Sequence, residues 1–117
     1  MADISTMSFS KVYPMLVQKV VRKGRTAEEA IEITCWLTGY TPEQLSALEI
    51  EGATYGDFIN QAPAWNPLAD HIKGSICGIK VETIEEPFMK KVRQLDKLID
   101  ELAKGKEIAK IIAKLNV

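Results

Sequence analysis

A single histidine, His71, and two cysteines, Cys35 and Cys77, are all that 117 residues offer to transition-metal or thiol chemistry. One imidazole and two separated thiols match no structural zinc spacing, so neither a metal nor another cofactor is expected. Two scattered cysteines are too few for a disulfide framework, which points to a reduced, cytoplasmic setting. No apolar run approaches the roughly 18–20 residues of a membrane span, and Met1–Met7 lacks the basic start and apolar stretch of a signal peptide. A third shortage is one of sign. Residues 26–70 contain no lysine or arginine, and their Glu28, Glu29, Glu32, Glu43, Glu49, Glu51, Asp57 and Asp70 sum to −8.

Around that block, residues 1–25 carry +4 and residues 71–117 carry +3, for a net −1. The segregation predicts a central acidic layer packed against basic first and last helices, with Arg22, Arg25 and Lys97 as contributors.

Apolar spacing and caps then divide the chain. Residues 1–9 read as a polar, mobile arm. Val12, Leu16, Val17, Val20 and Val21 recur at helical spacing, with Ser10 as cap, Pro14 in or before the first turn, and Gly24 as stop. Thr26-Ala27-Glu28-Glu29 and Thr41-Pro42-Glu43-Gln44 are capping boxes that open two further helices across Gly39. Ala30, Ile33, Leu37, Leu45 and Leu48 are their inward residues. Tyr55, Phe58 and Ile59 suggest a short helical turn before Pro63. Asn66-Pro67 reads as another cap, and Leu68, Ile72, Ile76 and Ile79 continue at helical steps, weakened by Gly74 and Gly78. Any β-structure is confined to Ile79–Ile84. Pro87 opens the clearest helix, where Phe88, Val92, Leu95, Ile99 and Leu102 form a heptad seam of about two repeats. Ile108, Ile111, Ile112 and Leu115 give a short final helix after Gly105. The expected fold is mainly α, an orthogonal bundle of five or six helices in one domain, closed by the long C-terminal helix.

The chain resembles the Domain of Unknown Function 2200 family of uncharacterised bacterial proteins. The resemblance runs through Val12-Tyr13-Pro14, Arg22-Lys23-Gly24-Arg25-Thr26, Trp36-Leu37-Thr38-Gly39-Tyr40-Thr41 and Asn66-Pro67. It continues through Gly74, Cys77-Gly78, Val81-Glu82, Pro87 and Leu95-Asp96-Lys97-Leu98, and on to Lys106. It implies no activity, since the family brings no catalytic residue to carry over.

The pair of helices across Gly39 has the outline of a DNA-reading helix-turn-helix. Its second helix, however, turns Glu43, Gln44, Ser46, Ala47 and Glu49 outward, and carboxylates are repelled by the phosphates that supply most DNA affinity. The charge forbids nucleic-acid reading through Thr41–Leu48. His71 and Cys77 could form a thiol–imidazole dyad, but six helical residues rotate about 600° and separate them unless the chain breaks at Gly74. Lys73-Gly74-Ser75 lacks the order of a phosphate loop. No catalytic residue is assigned. The candidate binding region is Trp65, Asn66, His71, Gly74, Cys77 and Gly78. The leading expectation is therefore a non-enzymatic interaction domain, with an unknown protein partner or self-association and no membrane. A nucleic-acid-associated regulator is second, and a small enzyme or ligand binder using Trp65–Gly78 is third.

Overall fold

A computed structural model describes residues 3–76 and 78–116 of the chain. Helix α1 (Phe9–Arg22) starts before Ser10, because Phe9 is fully buried and its amide donates to the Ala53 carbonyl at 2.9 Å. Ser8, not Ser10, holds the cap position. Pro14 consequently lies inside the helix, where it removes the donor for the Ser10 carbonyl. Both residues are on the solvent face, where water can serve that carbonyl.

Both capping boxes read from the sequence are formed. Thr26 and Glu29 open α2 (Ala27–Thr38), and Thr41 and Gln44 open α3 (Pro42–Glu51). Gly39 turns between them at φ +83°, and a Cβ there would meet the Ala64 amide nitrogen at 2.7 Å. The corner is thus clamped on the loop that follows α4 (Tyr55–Asn60). A third box, Thr54 with Asp57, starts α4. The sequence reading missed it because aspartate replaces the usual glutamate or glutamine.

Helix α5 (Pro87–Ala103) is the central post, touching α1, α2, α4 and α6 (Ile108–Leu115). Val92, Leu95, Ile99 and Leu102 are buried against these neighbours. Their heptad seam is an internal packing surface, not one open to a second copy. Leu98, off the seam, is fully buried as well, so α5 is apolar on more than one face.

The stretch 68–79 departs from expectation. Instead of a helix it forms a 3-10 turn (Pro67–His71) and a two-stranded hairpin, β1 (Ser75–Ile76) with β2 (Ile79–Lys80). The antiparallel register sets Ser75 opposite Lys80 and Ile76 opposite Ile79. Gly74 and Gly78 adopt φ +113° and +80°, a region that L residues avoid, and these two reversals override the apolar spacing. Only β2 falls in the window expected for β-structure, and Val81–Thr83 follows it as a 3-10 turn.

Residues 3–8, read as an arm, run against α4. Ile4–Thr6 form a 3-10 turn, and the Tyr55 amide donates to the Met7 carbonyl at 2.7 Å. This docking carries Phe9 into an aromatic cluster with Tyr13, Tyr40, Tyr55 and Phe58, the closest ring centroids 4.8 Å apart. Tyr13 and Tyr40 donate from their hydroxyls to Thr34 Oγ1 and the Phe58 carbonyl. The Tyr55 hydroxyl is buried with no partner among the described residues. Val21, at the end of the apolar spacing read for α1, is 41% exposed.

Candidate functional site

The loop between α4 and the 3-10 turn is held by its own polar groups. The half-buried Trp65 donates from Nε1 to Gln94 Oε1 at 3.0 Å, and Lys91 Nζ stands 5.3 Å from its ring centroid. Gln94, buried on α5, also donates to the Ala69 carbonyl. Asn66 caps the turn by accepting from the Leu68 amide and donates from Nδ2 to the Trp36 carbonyl at 3.3 Å. Trp65 and Asn66 thereby fasten the loop to α5 and α2, and their hydrogen-bonding groups are committed to structure.

His71 is placed differently. It ends the 3-10 turn beside the last turn of α6, and its Nδ1 lies 2.8 Å from the Leu115 carbonyl. A carbonyl only accepts, so Nδ1 carries the proton and Nε2 points elsewhere. A groove of about 420 Å³ opens here, lined by His71, Ile72, Lys73, Leu98, Glu101, Lys114 and Leu115. Ile72, Leu98 and Leu115 are buried and give it an apolar floor. Glu101, only 8% exposed, is approached by Lys106 Nζ at 3.4 Å and Lys114 Nζ at 3.8 Å.

Of the other expected site residues, Gly74 donates its amide to Glu82 Oε1 and accepts from the Val81 amide, closing the hairpin base. Gly78 is exposed at the far end of the hairpin. Cys77 lies outside the described residues, so a dyad with His71 has no described geometry. Cys35 is partly buried, and burial, then the nearby Glu43 charge, pushes its thiol up, away from a reactive thiolate. Among the described residues no cluster of three or more His, Cys, Asp or Glu gathers to hold a metal. Of the described members of the expected set, the structure brings only His71 into the groove. Its partners from α5 and α6 lie 27 or more positions further on, beyond any local motif.

A bacterial family described as "uncharacterized protein conserved in bacteria" (DUF2200) matches residues 3–113. The chain belongs to this family. The DUF2200 chain is also similar to the crystal structure of uncharacterized protein SP1917, with 42% sequence identity and a TM-score of 0.93. That similarity spans 100% of this chain and 97% of the other. Among curated proteins none matches. Neither the family's description nor the neighbour's names an activity.

Electrostatics in the DUF2200 chain differ from the expected acidic layer between basic helices. Among the described residues, Glu29 is the one carboxylate of the 26–70 block with an ion-pair partner. That partner is Arg25, at 2.7 Å just before α2, which also donates to the Gly105 and Lys106 carbonyls. Among the described residues Arg22 makes no ion pair, and Lys97 donates to the Ser75 carbonyl instead. The bridge between first and long helices is Lys19–Asp100, at 2.9 Å. Helix α5 supplies its own acid to α1, so the acids of α2 and α3 other than Glu29 are left facing solvent. Glu28, Glu32, Glu43, Glu49 and Glu51 are all exposed, and Ile50 stands among them 86% exposed. No helix of the described residues is long and apolar enough to cross a membrane.

Proposed function

We propose that this chain is a cytoplasmic, non-enzymatic interaction domain that docks a basic protein surface on the outward side of α2 and α3. The observation that carries this reading is the exposed Glu43, Glu49 and Glu51 around an 86% exposed Ile50, with no cation in ion-pair range among the described residues. A same-sign field of this kind steers a partner of opposite charge and rejects like-charged ones. An apolar side chain inside a polar rim is the usual anchor of such a contact. The same carboxylates face where a helix-turn-helix would meet phosphates, which favours a protein partner over nucleic acid.

Capture from a bacterial extract with the wild-type chain, with Ile50→Asp and with Glu43→Lys/Glu49→Lys tests the reading. A captured basic protein whose affinity falls about tenfold or more in both variants, at unchanged melting temperature, supports it. Capture indifferent to both variants would sink it. Equilibrium sedimentation at about 100 μM adds the identity of one partner: a dimer that Ile50→Asp dissociates makes that partner a second copy.

A further inference from the structure

We propose that the groove between the 3-10 turn and the end of α6 binds a small amphipathic organic anion, a carboxylate with an apolar body. Its volume of about 420 Å³ falls in the range of small-molecule sites, which combine an apolar lining with a few placed polar groups. The apolar part is Ile72, Leu98 and Leu115, contributed by three separate segments. Buried apolar floor of this kind favours a hydrocarbon or aromatic body and gives inorganic phosphate nothing to bond to.

The charged part is cationic in surplus. Among the described residues Glu101 is the one carboxylate in the lining, and both Lys106 and Lys114 turn to it. Two ammonium groups therefore share one negative charge. Lys73, also in the lining, makes no ion pair among the described residues and acts on Glu82 only at longer range. Lys114 keeps 66% of its side chain exposed and sits 3.8 Å from Glu101, a loose contact from which it can swing to a ligand. His71 is fixed by its bond to the Leu115 carbonyl, which leaves Nε2 as a further polar contact at the rim. A bound carboxylate accepts from Lys73 and Lys114, while its tail covers the floor. This site is lined by residues 71–73 with α5 and α6 and shares no residue with the α2–α3 face, so it stands or falls independently of the interaction reading.

The test is a titration of the full chain with octanoate, octanol, octylammonium and inorganic phosphate, followed by amide chemical shifts and calorimetry. Octanoate is expected to bind in the millimolar range or tighter, shifting the amides of Ile72, Leu98 and Leu115. Octanol and octylammonium are expected to bind about tenfold more weakly, and phosphate not to shift these amides. The exposed pair Lys73→Glu/Lys114→Glu should weaken octanoate about tenfold or more and leave octanol unchanged, with Lys106 still holding Glu101 and the melting temperature preserved. Octanol binding as tightly as octanoate, octanoate indifferent to the double variant, shifts confined to other residues, or no octanoate binding at about 10 mM would each overturn the proposal.

Discussion

Asp96 and Asp100 lie one turn apart on α5, and their surroundings push them in opposite directions. Burial raises the Asp96 carboxyl above its ordinary value of 3.8, and the Arg93 contact at 3.2 Å does not make up the difference. Burial also opposes the charge on Asp100, but hydrogen bonds from Lys19 and Lys104 outweigh it and hold that carboxyl low. A lowered folded value means stabilisation that is complete above 3.8 and lost as pH falls through the lower folded value. A raised one means an unfavourable charge at neutral pH, relieved as pH falls through the raised value. Urea unfolding from pH 7 to about pH 2 reads both. Asp100→Asn should lose most against wild type at neutral pH, with the gap closing only in strong acid. Asp96→Asn should compare better with wild type at neutral pH than near pH 4. Gaps that move in the same direction would show that the two aspartates do not differ as described.

Among the elements, the corner of α2 and α3 was the most legible. Thr26, Glu29, Thr41, Gln44 and Gly39 each act within four residues, so sequence spacing fixes the partner. Leu37 is fully buried beneath that corner, and its carbonyl accepts from the Asn66 amide at 2.8 Å. Leu37→Ala is expected to cost about 2–5 kcal/mol in urea unfolding, because it leaves a cavity as well as losing transfer energy. Glu32→Gln, exposed and without an ion pair, should stay within about 0.5 kcal/mol. A near-neutral Leu37→Ala would mean that the corner is not part of the core. The hairpin of β1 and β2 was misread, since apolar steps of three and four fit a helix until two glycines at positive φ reverse the chain. The candidate region suffered with it: once the chain leaves the helix after His71, residues 71 and 78 no longer share an element.

At the scale of the whole molecule, charge segregation is real, but its partners are not those expected. Apart from Glu29, which Arg25 pairs, the carboxylates of α2 and α3 have no ion-pair partner among the described residues, so their mutual repulsion works weakly against folding. Glu32→Gln/Glu43→Gln/Glu49→Gln is expected to leave stability unchanged or raise it by a few tenths of a kcal/mol, more at low salt than at high. A loss beyond about 1 kcal/mol in the same denaturation assay would reveal favourable pairs on that face. Lys19 with Asp100, by contrast, joins residues 81 positions apart in sequence. No net-charge count distinguishes that pairing from the one expected.

What the sequence determined by itself is local: the helix starts written in the capping boxes at Thr26 and Thr41, the stops at Gly24, Gly39 and Gly105, the inward apolar stripes, and the acidic sign of the α3 surface. These depend on interactions within a few residues, and they survive whatever the rest of the chain does. Tertiary structure alone decided the rest. It carried Phe9 into the aromatic cluster through a hydrogen bond to Ala53, and turned the heptad seam of α5 inward against four helices. It also set His71 beside Leu98, Glu101 and Lys114 to form the groove. Most of those outcomes join groups far apart in the chain, 44 positions for His71 and Leu115, where spacing along the chain specifies nothing and only the closure of the common core selects the neighbour.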